Sequence, residues 1–206
     1  MSLIKSISGI RGTIGGKAGE GLTPVDVVKF TAAYGAWVIE QTNNPKVVIG
    51  RDARISGDMI SRLVSATLQG MGIHVIDLGL STTPTVEFAV PLEKAGGGII
   101  LTASHNPIQW NALKLLNSVG EFISDQEGKA ILEKAESESF SFAEVKKTRK
   151  LYPNQRLHRP PYSACPEFGV GGCSSYQSKK LQDRSRRSEF NRRNRHPQIT
   201  SRPWSD

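Results

Sequence analysis

The first 150 residues predict an α/β domain of three α/β/α layers, in which helices cover both faces of a mixed and mostly parallel sheet. Short apolar runs typical of buried strands alternate with longer segments whose apolar residues recur at helical spacing. Loops rich in glycine and small polar residues separate these segments, as is usual in α/β domains. Residues 151–206 are basic and poor in aliphatic side chains, and they predict a disordered tail.

The first predicted elements are a strand, a glycine-rich loop and a helix. Residues 3–7 form the strand, and the loop at 8–16 follows. Thr23 and Pro24 then predict a helix start, because threonine caps free backbone N–H groups and proline suits the first helical position. This helix is expected to end before the Asn-Asn-Pro sequence at 43–45.

The same alternation continues to residue 136. Glycines close the second helix, and a threonine-rich segment before a proline starts the third. The predicted elements are, in order, strand 46–49, helix 58–69, strand 74–78, a helix from 82 to about 92, strand 98–102, a hairpin-like stretch at 113–123 and helix 125–136.

The most informative segment is the polar turn that ends the strand at 98–102. It places a hydroxyl, an imidazole and an amide, from Ser104, His105 and Asn106, where α/β sheets collect ligands and chemistry. Pro107 removes one backbone donor and keeps Asn106 out of helical geometry, so the turn is stiff. Ser104 is therefore a candidate nucleophile or phosphate carrier. The alternative is a polar turn that only closes the strand.

Two other loops carry arginine after predicted strands. Arg11 lies in the glycine-rich loop, where backbone N–H groups can approach an anion closely. Arg51 and Arg54 flank Asp52, which is expected to pair with one of them, just before a helix start that favours anions. Lys114 follows the serine turn. Guanidinium groups match phosphate oxygens, so this set predicts phosphoryl chemistry, although any single arginine is also compatible with a solvated surface charge.

Three segments follow one another along the chain: Ser-Gly-Ile-Arg-Gly at 8–12, Gly-Arg-Asp-Ala-Arg-Ile-Ser-Gly at 50–57, and Thr-Ala-Ser-His-Asn-Pro at 102–107. Together they resemble the first domain of the α-D-phosphohexomutases, the family of phosphoglucomutase, phosphomannomutase and phosphoglucosamine mutase. The resemblance extends over about residues 3–150. It departs from the family pattern at Ala112, where members usually carry glycine, which adopts positive φ more easily than alanine.

The resemblance implies an enzyme that interconverts hexose 1-phosphate and hexose 6-phosphate. Ser104 would carry a phosphoryl group, exchange it with a hexose 1,6-bisphosphate intermediate, and provide one ligand of Mg²⁺. His105 would help to organise the loop, while Arg11 and Lys114 would contact phosphate or transfer protons. Positive charge is what loose phosphoryl transfer chiefly needs. The residues expected to bind phosphate or substrate are Arg11, Arg51, Arg54, Asn106 and Lys114.

The sequence after residue 150 departs from the family. It holds eleven Lys and Arg against four Asp and Glu, whereas residues 1–150 are nearly neutral. The metal, sugar-recognition and distal phosphate loops implied by the resemblance are not recognisable there, so the 206-residue chain is expected to be inactive as a mutase. We hypothesise a frameshifted tail, since codons compatible with residues 169–173 and beyond, read one nucleotide later, allow a sequence resembling the family's second domain.

Other functions stay open at this stage. A non-catalytic domain would bind sugar phosphate without transferring it, and a basic tail would bind nucleic acid weakly, although specific nucleic-acid binding is not expected. The absence of a long apolar run or a signal-peptide pattern predicts a soluble cytoplasmic protein. Two cysteines cannot make a disulfide framework. The sequence leaves glucose, mannose and glucosamine phosphates open as substrates and predicts no oligomeric state.

Overall fold

A computed structural model describes residues 1–6, 9–43, 45–149 and 151–153 of the 206-residue chain. The predictions of a disordered, frameshifted or nucleic-acid-binding tail therefore fall, from residue 154 onward, outside the described residues. The proposed domain boundary at residue 150 stays a prediction, and the described sheet continues three residues past it. None of the described helices has the length and apolar character needed to cross a membrane.

The described residues form four α-helices and seven strands, and their bounds follow the predicted alternation. The helices are α1 (Pro24–Gln41), α2 (Gly57–Gly70), α3 (Thr83–Leu92) and α4 (Asp125–Glu136). The strands are β1 (Leu3–Ser6), β2 (Gly9–Thr13), β3 (Lys46–Arg51), β4 (His74–Leu80), β5 (Gly97–Leu101), β6 (Trp110–Leu116) and β7 (Leu151–Pro153).

One sheet contains all seven strands in the order β1-β2-β6-β5-β3-β4-β7. The pairs of β3 with β4 and β5, and of β4 with β7, are parallel, whereas the pairs on the β1, β2 and β6 side are antiparallel. The predicted α/β fold with a mixed sheet is confirmed. The antiparallel part of the sheet is larger than the sequence indicated, because residues 9–13 were expected in a loop. They form β2, which lies between β1 and β6.

The strand β2 corrects the interpretation of the first glycine-rich segment. Residues 9–13 pair with both β1 and β6, so Arg11 lies on a strand and not in an anion-binding loop. Gly9 has φ +145°, and a Cβ there would overlap the Leu113 carbonyl oxygen. This glycine thus serves the close approach of two strands, which has the same sequence signature as a phosphate-binding loop.

The sheet is buried on both faces by different helices. A larger core includes the sheet residues Ile49 and Leu113 together with apolar side chains of α1, α2 and α4. A smaller core packs Ile100 and Leu116 against residues of α3. Neighbouring strand residues alternate between these two cores, as the two-residue period of a strand requires. Of the described α-helices, α1, α2 and α4 therefore lie on one face of the sheet, and α3 lies on the other.

Helix α1 begins where the sequence predicts, at a capping box. Thr23 accepts a hydrogen bond from the backbone N–H of Asp26, and the Asp26 carboxylate accepts one from the backbone N–H of Thr23. Pro24 occupies the first helical turn, where its missing N–H leaves no helical hydrogen bond unmade. The helix start is thus fixed by local sequence.

Tyr34 connects the middle of α1 to the sheet. Its side chain is fully buried, and its hydroxyl donates to the Leu116 carbonyl oxygen at 2.8 Å and lies 3.2 Å from that of Gly98. Burial raises the pKa of this phenol well above its usual value, so the group is a neutral donor. The position of the ring requires glycine at 97, where a Cβ would overlap the Tyr34 oxygen.

Substitution of Gly97 by alanine is expected to lower the free energy of unfolding by about 1–3 kcal/mol, because the added methyl group overlaps the Tyr34 hydroxyl. Urea denaturation of the full chain measures this loss. Adding Tyr34→Phe should restore part of it, since the overlapping oxygen is removed. The matched control is Gly70→Ala, whose Cβ would meet Phe142 at an ordinary 3.5 Å. Equal losses of unfolding free energy in Gly97→Ala and Gly70→Ala would show that overlap with the Tyr34 hydroxyl is not the cause.

His74 lies at the outer edge of the sheet, where β4 pairs with β7. Its Nδ1 atom is buried and has no hydrogen-bond partner among the described residues. Its ring centroid lies 5.8 Å from that of Tyr152. Burial lowers the pKa of this imidazole, and the positive charges of Arg149 and Lys46 lower it further. The folded protein therefore favours neutral His74.

The folded-state pKa of His74 is below its ordinary value of 6.5. The contribution of neutral His74 to the free energy of unfolding is therefore fully present above pH 6.5, and it is lost as the pH falls through the folded-state pKa. The urea concentration at the unfolding midpoint should therefore decrease when the pH is lowered from about 7.5 to about 5.5. His74→Gln should show a smaller fall. A variant with the full pH dependence of the natural chain would show that another group is responsible.

Candidate functional site

The loops that follow β3 and β5 lie side by side, because these strands are parallel neighbours. Arg51 at the end of β3 pairs in register with Leu101 at the end of β5. One residue further, the backbone N–H of Asp52 donates to the Leu101 carbonyl oxygen at 3.1 Å. The sheet thus brings together two of the three segments that the sequence singled out, at the edge where α/β sheets bind ligands.

Ser104 is exposed at the tip of the turn after β5. Its φ is +53°, in the left-handed region that costs a non-glycine residue about 1–2 kcal/mol. Its backbone N–H donates to the Thr102 hydroxyl at 3.1 Å, while its own hydroxyl makes no hydrogen bond with a described residue. Strain of this kind persists only where surrounding contacts impose it.

Arg54 contacts this turn from the neighbouring loop. Its Nε atom donates to Asp52 at 3.2 Å, and its side chain is only 12% exposed. Its two terminal nitrogens donate to four backbone carbonyls of the serine turn at 2.7–3.0 Å: those of Ser104, Asn106, Pro107 and Trp110. These contacts occupy all five N–H donors of the guanidinium group. Arg54 was predicted to bind phosphate, but it has no donor left for one in this arrangement.

Asp52 orients this arginine. One carboxylate oxygen accepts from the Thr102 hydroxyl at 2.6 Å and from Arg54, and the other accepts from the backbone N–H of Arg54 at 3.0 Å. The expected pairing of Asp52 with one flanking arginine is thus made with Arg54. Thr102 was not singled out from the sequence, although its place two residues before Ser104 is typical of a hydroxyl that bonds to a nearby backbone N–H.

Arg51 points to α2. One of its nitrogens lies 3.8 Å from the Asp58 carboxylate, which also pairs with Arg62 at 2.8 Å. With these residues and Asp77, Arg51 lines an open cavity of about 390 Å³ between α2 and β4. Among the described hydrogen bonds and ion pairs, none joins Arg51 to the serine turn. Its predicted phosphate contact stays a prediction.

Arg11 and Lys114 lie on the same face of the sheet. Arg11 pairs with Ala112 and Lys114 with Gly9, so alternation places both side chains opposite the core that contains Leu113. Arg11 is exposed, while Lys114 is half-buried with its ammonium 5.9 Å from the centre of the Phe122 ring. Neither forms an ion pair with a described residue. The face therefore carries two positive charges without carboxylate partners in the described part of the chain.

The remaining predicted positions have simpler surroundings. His105 is exposed and makes no hydrogen bond with a described residue, and its expected role in organising the turn stays a prediction. The Asn106 side chain donates to the Ala103 carbonyl oxygen at 2.8 Å. Ala112 lies in regular strand pairing and has no positive φ, so alanine carries no backbone penalty there. The departure from the glycine pattern is thus accommodated.

One buried residue near the site was missed. Asn111 is fully buried on β6, and its side-chain amide donates to the Ser56 hydroxyl at 2.9 Å. This bond joins the start of α2 to the strand that carries Lys114. Only the tertiary structure reveals it, because an isolated asparagine in a strand has no distinctive sequence pattern.

A family model described as phosphoglucomutase/phosphomannomutase, alpha/beta/alpha domain I, matches residues 3–142. The phosphoglucosamine mutase of Helicobacter pylori strain Shi470 is 36% identical over 118 residues, which are 57% of this chain and 26% of that protein. The phosphoglucomutase/phosphomannomutase of Thermococcus kodakarensis is 39% identical over 125 residues, 59% of this chain and 27% of its own. The chain thus spans about a quarter of the length of these relatives.

A solved structure gives the same match in three dimensions. A crystal structure described as a phosphomannomutase from Thermus thermophilus aligns with a TM-score of 0.57 and 38% identity. The alignment covers 63% of this chain and 29% of that one. Sequence and fold therefore agree on the part of the chain that contains the serine turn.

Proposed function

The chain belongs to the phosphoglucomutase/phosphomannomutase family, and we propose that Ser104 carries the phosphoryl group during the interconversion of hexose 1-phosphate and hexose 6-phosphate. The observation that carries this proposal is the exposed Ser104 hydroxyl, held on a left-handed turn by neighbouring backbone contacts. A hydroxyl fixed in this way is oriented before substrate arrives, which lowers the entropic cost of reaching the transition state.

The proposed chemistry moves one phosphoryl group in each direction. The bond between phosphorus and the Ser104 oxygen breaks as a sugar hydroxyl oxygen bonds to phosphorus, and the proton of that hydroxyl passes by way of a base to the Ser104 oxygen. The bisphosphate then returns its other phosphoryl group to Ser104. The net result moves phosphate between the two ends of the sugar. Arg11 and Lys114 support this proposal as two positive charges on one sheet face, of the kind that stabilises a transferred phosphoryl group.

The described residues do not by themselves form a Mg²⁺ site. No group of three Asp, Glu, His or Cys side chains comes together in the described part of the chain. Asp52, near the serine turn, already accepts hydrogen bonds from Arg54 and Thr102. Mg²⁺ normally keeps water ligands and binds through carboxylates and phosphates. We therefore assign no step to the metal on these residues.

A second candidate function is the binding of sugar phosphates without turnover. It is favoured by the same two cations, Arg11 and Lys114, which share one sheet face without ion-pair partners among the described residues. Binding needs only charge and shape complementarity, whereas turnover also needs both phosphates of a bisphosphate held in alternation.

Ser104→Ala should abolish turnover when this domain works in a complete enzyme. Residues 3–142 can replace the matching segment of the Thermococcus kodakarensis protein, and glucose 1-phosphate conversion can be followed with glucose 1,6-bisphosphate and Mg²⁺ present. Loss of the attacking oxygen should lower turnover by about a thousandfold or more. The matched control is Ser118→Ala, which removes another exposed serine hydroxyl. An active Ser104→Ala graft would refute the phosphoserine proposal.

We expect the 206-residue chain alone to bind glucose 1,6-bisphosphate but to give no mutase turnover, because no described carboxylate cluster holds a metal. Calorimetry measures the binding, which Arg11→Ala and Lys114→Ala should weaken since each removes one positive charge. The coupled conversion assay measures turnover. Turnover above background that disappears in Ser104→Ala would show that this chain suffices for catalysis.

A further inference from the structure

The terminal nitrogens of Arg54 converge on one turn. They meet four carbonyl oxygens contributed by residues 104–110. Four carbonyl dipoles that face a common point repel one another unless a cation lies between them. The guanidinium group removes this repulsion and satisfies each oxygen with a charged hydrogen bond, a strong class of hydrogen bond in proteins.

Both backbone polar groups of Ser104 belong to the same network. Its N–H donates to the Thr102 hydroxyl, which donates to Asp52, and the Asp52 carboxylate accepts from Arg54. Arg54 in turn donates to the Ser104 carbonyl oxygen at 2.8 Å. The network therefore closes on the one residue of the turn whose backbone is left-handed. Rotating Ser104 into an ordinary conformation would disturb the ring of bonds on both sides.

We infer that Arg54 is the positioning residue of the serine turn: it holds Ser104 in its left-handed conformation and aims the hydroxyl outward, without binding phosphate. The inference rests on the proposed function for its catalytic meaning, but the geometry it describes is a property of the folded chain. Arg54 touches the nucleophile only through backbone atoms. Its effect on phosphoryl transfer is to fix the position of the Ser104 oxygen.

This position needs arginine in particular. A lysine ammonium is a single point with three donors, whereas the planar guanidinium presents five donors in a fixed fork. The four carbonyls and the Asp52 carboxylate require all five. Lysine would leave at least two of these acceptors without a partner. We therefore expect Arg54→Lys to loosen the turn although the charge is kept.

Hydrogen–deuterium exchange of the full chain tests the inference. Three amides of the turn are hydrogen-bonded, those of Ser104, Asn106 and Trp110. Arg54→Ala and Arg54→Lys should speed exchange across residues 103–110 by about tenfold or more, while the strands of the sheet keep their protection. The matched control is Arg62→Ala, which removes an exposed guanidinium from α2. It should leave the turn unchanged.

Chemical rescue separates positioning from a general loss of stability. Free guanidinium at a concentration well below that of denaturation should restore the protection of residues 103–110 in Arg54→Ala, because it can refill the space between the four carbonyls. Protection that does not change in Arg54→Ala, or that guanidinium fails to restore, would overturn the inference. If Arg54→Ala does not fold, the exchange of residues 103–110 is measured in Thr102→Val instead, because this variant breaks the same network at the Ser104 N–H.

The two proposals fail in different experiments. An active Ser104→Ala graft would remove the phosphoserine proposal, whereas the exchange of residues 103–110 would still decide whether Arg54 holds the turn. Conversely, an inactive Ser104→Ala graft together with an unaltered turn in Arg54→Ala would retain the phosphoserine and overturn the positioning role.

Discussion

A single guanidinium group, that of the largely buried Arg54 side chain, sets the geometry of the candidate site. Arg54 leaves the loop after β3 and inserts into the turn after β5, where it replaces the backbone partners that the turn cannot supply for itself. The carbonyl oxygens of an irregular segment need hydrogen-bond donors from outside that segment or from water. Here one side chain provides four donors at once to such a segment.

The sheet makes this insertion possible. Parallel pairing of β3 with β5 brings the two loops to one edge in a fixed register. Helix α1 contacts the other end of β5, because the Tyr34 hydroxyl donates to the Leu116 carbonyl oxygen of β6 and lies 3.2 Å from the Gly98 carbonyl oxygen of β5, in the space left by Gly97. On the antiparallel side, β2 and β6 present Arg11 and Lys114 from one face. The exposed Ser104 hydroxyl thus lies on a turn, whereas the side chains of Arg11 and Lys114 extend from strands.

The fold class, the helix bounds and the serine turn could all be predicted from the amino-acid sequence. Helix starts are encoded locally, since Thr23 and Ser124 form capping boxes with residues three positions later. Short continuous apolar runs identify the buried strands, because helices cover both faces of this sheet. The segment at 102–107 was recognisable because several unusual residue types occur together, and the comparisons with relatives confirm the family it indicated.

The roles of the glycines and arginines, in contrast, depend on contacts between distant parts of the chain. A glycine that lets an anion approach and a glycine that lets a strand approach look alike in sequence, so residues 9–13 were expected in a loop and proved to form β2. An arginine that binds phosphate and one that binds carbonyls also look alike, because a guanidinium group suits both. The choice depends on which acceptors the fold brings within reach, and for Arg54 these lie about fifty residues away along the chain.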